Sequence, residues 1–265
     1  MMEIAGYIAA ILIGISLGLI GGGGSILTVP VFVYIMHVHP VLATTYSLFV
    51  VGSCSLVGGT RAYMKGMIDL PAVLYFGLSS MLTVFLVRTF VVTAIPDHLF
   101  NIGEWEISKG IFLMLLFALL MLVAAISMIR SGIKPRSESP GNHSRVTGLI
   151  VQGTLVGVVT GLLGAGGGFL IIPALVLFSK LPMKTAVGSS LTIMAFSSLL
   201  GFFTNLSHYS INWFQLLSFT AIAIAGIFVG AALSEKIPGT SLKKGFGWFI
   251  LLMGIYILVK EIFFS

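Results

Sequence analysis

Residues 18–33 have the sequence GLIGGGGSILTVPVFV, and residues 161–176 have the sequence GLLGAGGGFLIIPALV. The two stretches lie 143 positions apart and share glycines, apolar residues and a proline. Further identities at this spacing are Gly14/Gly157, Ala43/Ala186, Ser47/Ser190, Ser55/Ser198, Gly58/Gly201, Ile68/Ile211 and Phe76/Phe219. One duplicated unit therefore fills most of the chain. Glycine-broken apolar segments at matching places in two halves are typical of a secondary transporter's binding site.

The composition predicts a protein whose surface faces lipid. Apolar residues make up 57% of the chain and charged residues 8%, compared with roughly 25% charged residues in soluble domains. The mean hydropathy is +1.12. The net charge of +6 does not indicate a nucleic-acid partner, because the basic residues lie in loops between long apolar runs. The expected partner is the lipid bilayer.

Ten apolar segments are long enough to form helices. They cover residues 4–20, 25–36, 41–59, 71–95, 108–129, 147–163, 168–179, 185–204, 212–234 and 245–264. Segments 25–36 and 168–179 are short, since twelve helical residues cover about 18 Å of a hydrocarbon core about 30 Å thick. Strands are not expected, because a membrane barrel alternates polar and apolar residues. The sequence therefore predicts an all-α polytopic transmembrane protein.

Positive charge decides between two topologies. If each glycine run is a hairpin, each half has five segments, and 11 of the 14 Lys and Arg residues lie on the cytoplasmic side. Two others then lie outside, and Arg88 lies within a segment. If residues 4–36 and 147–179 are instead single spans, the best split is 7 against 6. The positive-inside rule favours the hairpins. Because five is odd, the halves become inverted repeats with Gly-rich broken helices.

The predicted organisation has three parts. Residues 1–129 form the first transmembrane repeat, residues 130–146 form a basic cytoplasmic linker rich in Pro, Gly and Ser, and residues 147–265 form the second repeat. The outer loops are predicted at 96–107 and 205–211.

The glycine runs are the first candidate for a binding site. Each glycine within a helix costs about 1 kcal/mol relative to alanine, whereas a tight reversal accepts glycine at positive φ. Helices that begin near Ser25 and Phe169 would point free N–H groups at a cavity and attract an anion. The candidate residues here are Gly22, Gly23, Gly24, Ser25, Gly166, Gly167 and Gly168. The alternative is that these glycines serve only close helix packing.

Polar side chains within apolar segments are the second candidate. Hydroxyl groups follow each glycine run at Thr44, Thr45 and Ser47, and again at Ser189, Ser190 and Thr192. They are suited to donate hydrogen bonds to an anion's oxygens, or else they bond the carbonyls of their own helices.

Arg88 is predicted to lie inside a span, which makes it a candidate for holding an anion unless its side chain reaches the outer interface. Asn205 and Gln152 are weaker candidates, better explained by contacts between helices.

Several other classes of site are not expected. No Gly-Lys-Ser or Gly-Lys-Thr follows the glycines, and no strand–helix context supports a dinucleotide fold. His37 and His39 have no neighbouring Cys or acid, so no metal is predicted. Acids and histidines lie at segment ends or in loops, which argues against a proton relay and an intramembrane hydrolase. The sequence predicts no cofactor and no enzyme activity.

The pair GLIGGGGSILTVP…ATTYSL and GLLGAGGGFLIIP…AVGSSL resembles the sulfite exporter TauE/SafE family of membrane permeases. The resemblance covers residues 5–264. It implies a carrier in a bacterial-type inner (plasma) membrane for small sulfur-containing anions such as sulfite, sulfonates or related organic acids. The expected function is secondary transport, in the direction of export, of a small anionic substrate. The alternatives are a permease for a cation or an uncharged solute, and a non-transporting membrane subunit or sensor.

Overall fold

The computed structural model describes residues 2–22, 25–92, 98–102, 105–130, 142–163, 168–205 and 211–263. Within these ranges the α-helices are α1 (Met2–Ile20), α2 (Ser25–Pro30), α3 (Pro40–Met64), α4 (Gly77–Leu86), α5 (Lys109–Arg130), α6 (Asn142–Leu163), α7 (Gly168–Leu177), α8 (Met183–Asn205), α9 (Trp213–Lys236) and α10 (Gly239–Phe263). The predicted all-α polytopic fold is confirmed. Residues 131–141 of the predicted linker lie outside the described residues.

The first repeat departs from regular α-helix at three places. A π-helical segment, Val31–Ile35, continues α2, and two more, Ala72–Phe76 and Val87–Val92, flank α4. The corresponding helices of the second repeat, α7 and α9, are α-helical along their lengths. The two repeats therefore share an order of elements and differ in local winding.

The predicted outer loop 96–107 contains a short β-hairpin instead of irregular chain. Strand β1 (His98–Ile102) pairs antiparallel with strand β2 (Trp105–Ser108), with Ile102 opposite Trp105. The sequence excluded strands as membrane spans and did not predict this hairpin in a loop. The residues Trp-Glu-Ile-Ser alternate apolar and polar, which is the period of a β-strand. The hairpin leaves the helical architecture unchanged.

Helices α3 and α8 hold the same place in the two repeats and pack against each other in antiparallel directions. A Cβ built at Gly58 would lie 3.0 Å from Leu191 Cδ1. A Cβ built at the repeat counterpart Gly201 would lie 3.4 Å from Cδ1 of Leu48, the counterpart of Leu191. Such reciprocal contacts are those of a pseudo-two-fold arrangement. They support inverted repeats, while opposite insertion in the membrane stays a prediction.

Each repeat packs its first helix on the fourth segment of the other repeat, α1 on α9 and α6 on α4. Glycines allow both approaches. A Cβ at Gly14 would overlap the carbonyl of Ala223, and a Cβ at Gly157 would lie 2.7 Å from the carbonyl oxygen of Ser80. These two contacts are again counterparts at the repeat spacing. Glycines outside the two runs thus allow close helix packing of α1 and α6.

The short helices end in the same turn. His37 and its counterpart Lys180 both adopt positive φ, at 52° and 53°. The next amide in each repeat reaches back six residues, from Val38 to Phe32 and from Leu181 to Leu175. The bond is one residue longer than that of a standard left-handed helix cap, and like it satisfies a carbonyl at the helix end. The duplication therefore extends to the backbone conformation.

Five helical stretches of the described chain are long and apolar enough to cross a membrane. They are Leu42–Met64, Ala72–Val91, Met183–Phe203, Trp213–Lys236 and Gly239–Val259. The windows in α3 and α8 are 61% buried and those of the other three are 24–39% buried, so the antiparallel pair forms the centre. Peripheral helices expose apolar side chains such as Leu78, Leu82 and Phe85, as a lipid-facing surface does.

We expect cysteine labelling to place the linker and the start of α10 in the cytoplasm and the two predicted outer loops outside. In a Cys54→Ser background, Glu138→Cys and Thr240→Cys should react only from the cytoplasm, and Asn101→Cys and Ser207→Cys only from outside. The physical reason is the 11-to-2 charge split of the hairpin topology. External labelling at position 240 would overturn the inverted repeat.

Candidate functional site

The first glycine run contains a tight turn that contacts the second repeat. Gly21 ends α1 with an amide that donates to the Leu17 carbonyl at 2.8 Å, and its φ is +75°. A Cβ at this position would lie 2.9 Å from Ile172 Cδ1 and 3.0 Å from Ser190 Oγ. The turn therefore needs glycine both for its conformation and for its close approach to α7 and α8.

The predicted glycine site is described only in part. Gly22 is buried, and α2 begins at Ser25, whose hydroxyl donates to the Gly22 carbonyl at 2.7 Å. Gly168 begins α7, and a Cβ there would overlap the side chain of Met194. Gly23, Gly24, Gly166 and Gly167 lie outside the described residues. Anion binding by the glycine backbone stays a prediction.

The hydroxyl groups of the second repeat are occupied by backbone partners. Ser190 Oγ donates to the Val187 carbonyl at 2.9 Å, and Thr192 Oγ1 donates to the Gly188 carbonyl at 3.0 Å. Ser189 Oγ accepts the Asp69 amide at 2.9 Å and so ties the loop before α4 to α8. An anion would therefore have to compete for the Ser190 and Thr192 protons. Of the three, Ser190 lies beside the glycine turn.

The hydroxyl groups of the first repeat differ in exposure. Thr45 and Ser47 are buried, with 2% and 7% of their surface exposed, whereas Thr44 is exposed. The side chain of Tyr46, between them, accepts the Asn212 amide at 2.7 Å and ties α3 to the start of α9. The three predicted residues thus do not share one environment, and only Thr45 and Ser47 face the interior.

The remaining candidates separate into different roles. Arg88 lies in the π-helical segment Val87–Val92, and its neighbour Val87 packs against Gly161, just before the second glycine run. Gln152 Oε1 accepts the Ser179 hydroxyl at 2.6 Å, which makes Gln152 a link between α6 and the chain after α7. Asn205 ends α8.

A cavity of about 50 Å³ opens beside the glycine turn. Its inner wall includes Gly18, Gly58, Val187 and Leu191, and Val187 also contacts the Gly21 position. Its rim carries three cations that the sequence analysis counted only as orientation charges, Arg61, Lys65 and Lys184, together with the acid Glu235. We call this the cationic cavity. It is bounded by the ends of α1, α3 and α9 and the start of α8, so both repeats build it.

The chain matches a family model described as Sulfite exporter TauE/SafE over residues 7–257. It is 30% identical over 258 residues to a protein of Xylella fastidiosa (strain Temecula1) named "Probable membrane transporter protein", covering 94% of this chain and 92% of that protein. It is 27% identical over 276 residues to "Probable membrane transporter protein YunE" of Bacillus subtilis (strain 168), covering 97% and 99%. No solved structure gives a significant match.

Proposed function

Because the chain belongs to the sulfite exporter TauE/SafE family and is an integral inner-membrane transporter, we propose that it exports a small sulfur-containing or organic anion such as sulfite or a sulfonate. The observation that carries this proposal is the glycine turn at Gly21, which one repeat presents to the Ser190-bearing helix of the other. A non-helical backbone at membrane depth is tolerated where it is buried in protein or lines a polar cavity.

The charge beside this turn favours an anion over a cation or an uncharged solute. Among the described residues that line the cationic cavity, three are cations and one is an acid. Positive side chains in a partly enclosed space raise the local concentration of anions. The substrate would pass from this cavity toward the glycine turns, Thr45, Ser47, Ser190 and, in the other state, Arg88.

The reciprocal packing of the repeats supports a mechanism of alternating access. The cationic cavity is lined by Gly18, Gly58, Leu191 and Ala231, and their repeat counterparts are Gly161, Gly201, Leu48 and Arg88. If the repeats exchange conformations, these counterparts line a second cavity on the opposite side. Arg88 then supplies a positive charge to the outer cavity. Its counterpart Ala231 supplies no charge to the inner cavity.

Flux into proteoliposomes tests the function. We expect saturable, electrogenic transport of at least one anion from a panel of sulfite, thiosulfate, a sulfonate and a carboxylate, above the leak of protein-free liposomes. Potassium ions and glycerol should not be transported. Transport of either, with no anion flux, would support the alternative permease, and no flux of any solute would support a non-transporting subunit.

A further inference from the structure

We infer that the cationic cavity is itself an anion-binding site, distinct from the glycine turn, in which Glu235 occupies the place of a small oxyanion. This inference rests on the proposed function, because it assigns the site to an anion on its way to the glycine turn. None of its four charged residues was among the candidates that the sequence analysis named for binding.

The first observation is that all three cations lining the described part of the cavity bond to one residue, Glu235, two of them to its carboxylate and one to its backbone carbonyl. Arg61 Nη2 lies 2.9 Å from Glu235 Oε1, and Lys65 Nζ forms an ion pair with the same oxygen. Lys184 Nζ donates to the Glu235 backbone carbonyl at 3.0 Å. A planar guanidinium and two ammonium groups that converge on the oxygens of one residue are donors of the kind that bind small oxyanions.

The second observation is that the charges do not balance. Glu235 supplies one negative charge to Arg61 and Lys65, and its carbonyl supplies none to Lys184. The cluster therefore keeps a positive excess within the described lining of the cavity. The Arg61 guanidinium also lies over the Phe228 ring, with its carbon 6.0 Å from the ring centroid, which holds its position. A divalent oxyanion would neutralise the excess that Glu235 leaves.

The third observation is that the cavity has free volume and that its charged side chains are accessible from solvent. The cavity of about 50 Å³ is several times the roughly 10–15 Å³ that one water needs, so it has room for a group larger than a water. The side chains of Arg61, Lys65 and Glu235 are 28%, 36% and 38% exposed, so solutes reach them from solvent. Exposed ion pairs contribute little to stability. Stability alone therefore does not account for four charges around one cavity.

Glu235 acts in this site as a resident competitor. Since the carboxylate must leave the cations before an oxyanion binds, the apparent affinity is reduced by the fraction of time that Glu235 occupies them. Removing its charge should tighten binding, whereas removing a cation should weaken it. A structural salt bridge predicts no such opposite effects on anion affinity.

The test measures how sulfate protects a thiol introduced in the cavity wall. Ser234 lines the cavity and Cys54 is buried, so Ser234→Cys in a Cys54→Ser background reports on this site. The purified full-length protein in detergent is labelled with a methanethiosulfonate reagent at increasing sulfate, with chloride at equal ionic strength as reference. We expect sulfate and not chloride to slow the labelling.

Variants of the cations and of Glu235 should shift the half-protecting sulfate concentration in opposite directions. Lys65→Gln, or Arg61→Gln if the first variant does not purify, should raise the half-protecting sulfate concentration about tenfold. Glu235→Gln should lower it about tenfold. The matched control is Lys236→Gln, which removes a neighbouring exposed charge that does not line the cavity and should leave protection unchanged.

Equal labelling in sulfate and chloride, both with Glu235 present and in Glu235→Gln, would overturn the site. The site would also be overturned if Lys236→Gln and Lys65→Gln changed the half-protecting sulfate concentration equally. The readout does not depend on transport. Sulfate protection without anion flux would reject the transport proposal alone, and anion flux without protection would reject the cavity site alone.

Discussion

Replacing Gly21 with alanine is expected to reduce anion flux by more than about tenfold while the protein still inserts in the membrane. The left-handed backbone at φ +75° costs an L-residue about 1–2 kcal/mol. Overpacking against Ile172 Cδ1 at 2.9 Å and Ser190 Oγ at 3.0 Å adds roughly 1–3 kcal/mol. Because 1.4 kcal/mol corresponds to a factor of ten, even the lower values suffice if transport requires this turn. The measurement is the initial rate of flux per reconstituted protein.

Two other glycines separate the causes of the loss. Gly66 also has positive φ, at +65°, but a Cβ there would meet nothing within 4 Å. Gly66→Ala therefore imposes the strain without the crowding. Gly245→Ala imposes neither, since Gly245 lies in α10 with open space around it. If Gly21→Ala transports as well as Gly66→Ala, the close approach between the glycine turn and α8 has no role in transport.

The duplication made the helical architecture predictable. Each predicted segment corresponds to a helix, and the short segments after the glycine runs became α2 with its π-helical continuation and α7. The reason is physical: apolar length sets the span, and glycine runs interrupt it in both halves. The π-helical winding of Val31–Ile35 was not predictable, because its counterpart in the second repeat has a similar apolar sequence and remains α-helical.

The cationic cavity could not be predicted, because its charges come from distant parts of the chain. Arg61 and Glu235 are 174 residues apart and meet only because α3 packs beside α9. Each cation, taken alone, is an ordinary charge at a helix end that orients the protein in the membrane. The one local signal was Glu235, an acid close to the end of an otherwise apolar segment.

Arg88→Gln is expected to raise the KM for an anion offered from the outer side by about tenfold or more, with the protein amount unchanged. Position 88 is the repeat counterpart of Ala231, which lines the cationic cavity. The surroundings also correspond, since a Cβ at Gly18 would lie 2.7 Å from the Ala231 amide nitrogen and a Cβ at Gly161 would lie 2.8 Å from Val87 Cβ. Exchange of conformations between the repeats would therefore bring Arg88 to the wall of the outer cavity.

The two sides of the membrane and the type of substitution give this prediction its controls. The KM measured from the cytoplasmic side should stay near wild type, because Arg61, Lys65 and Lys184 act there. Arg88→Lys keeps the charge and loses the planar fork, so a smaller increase in KM is expected. Arg130→Gln removes a cation from the exposed end of α5 and should change neither KM. Wild-type kinetics from both sides in Arg88→Gln would mean that Arg88 only extends to the outer interface, leaving the glycine backbone and the hydroxyl groups to hold the anion.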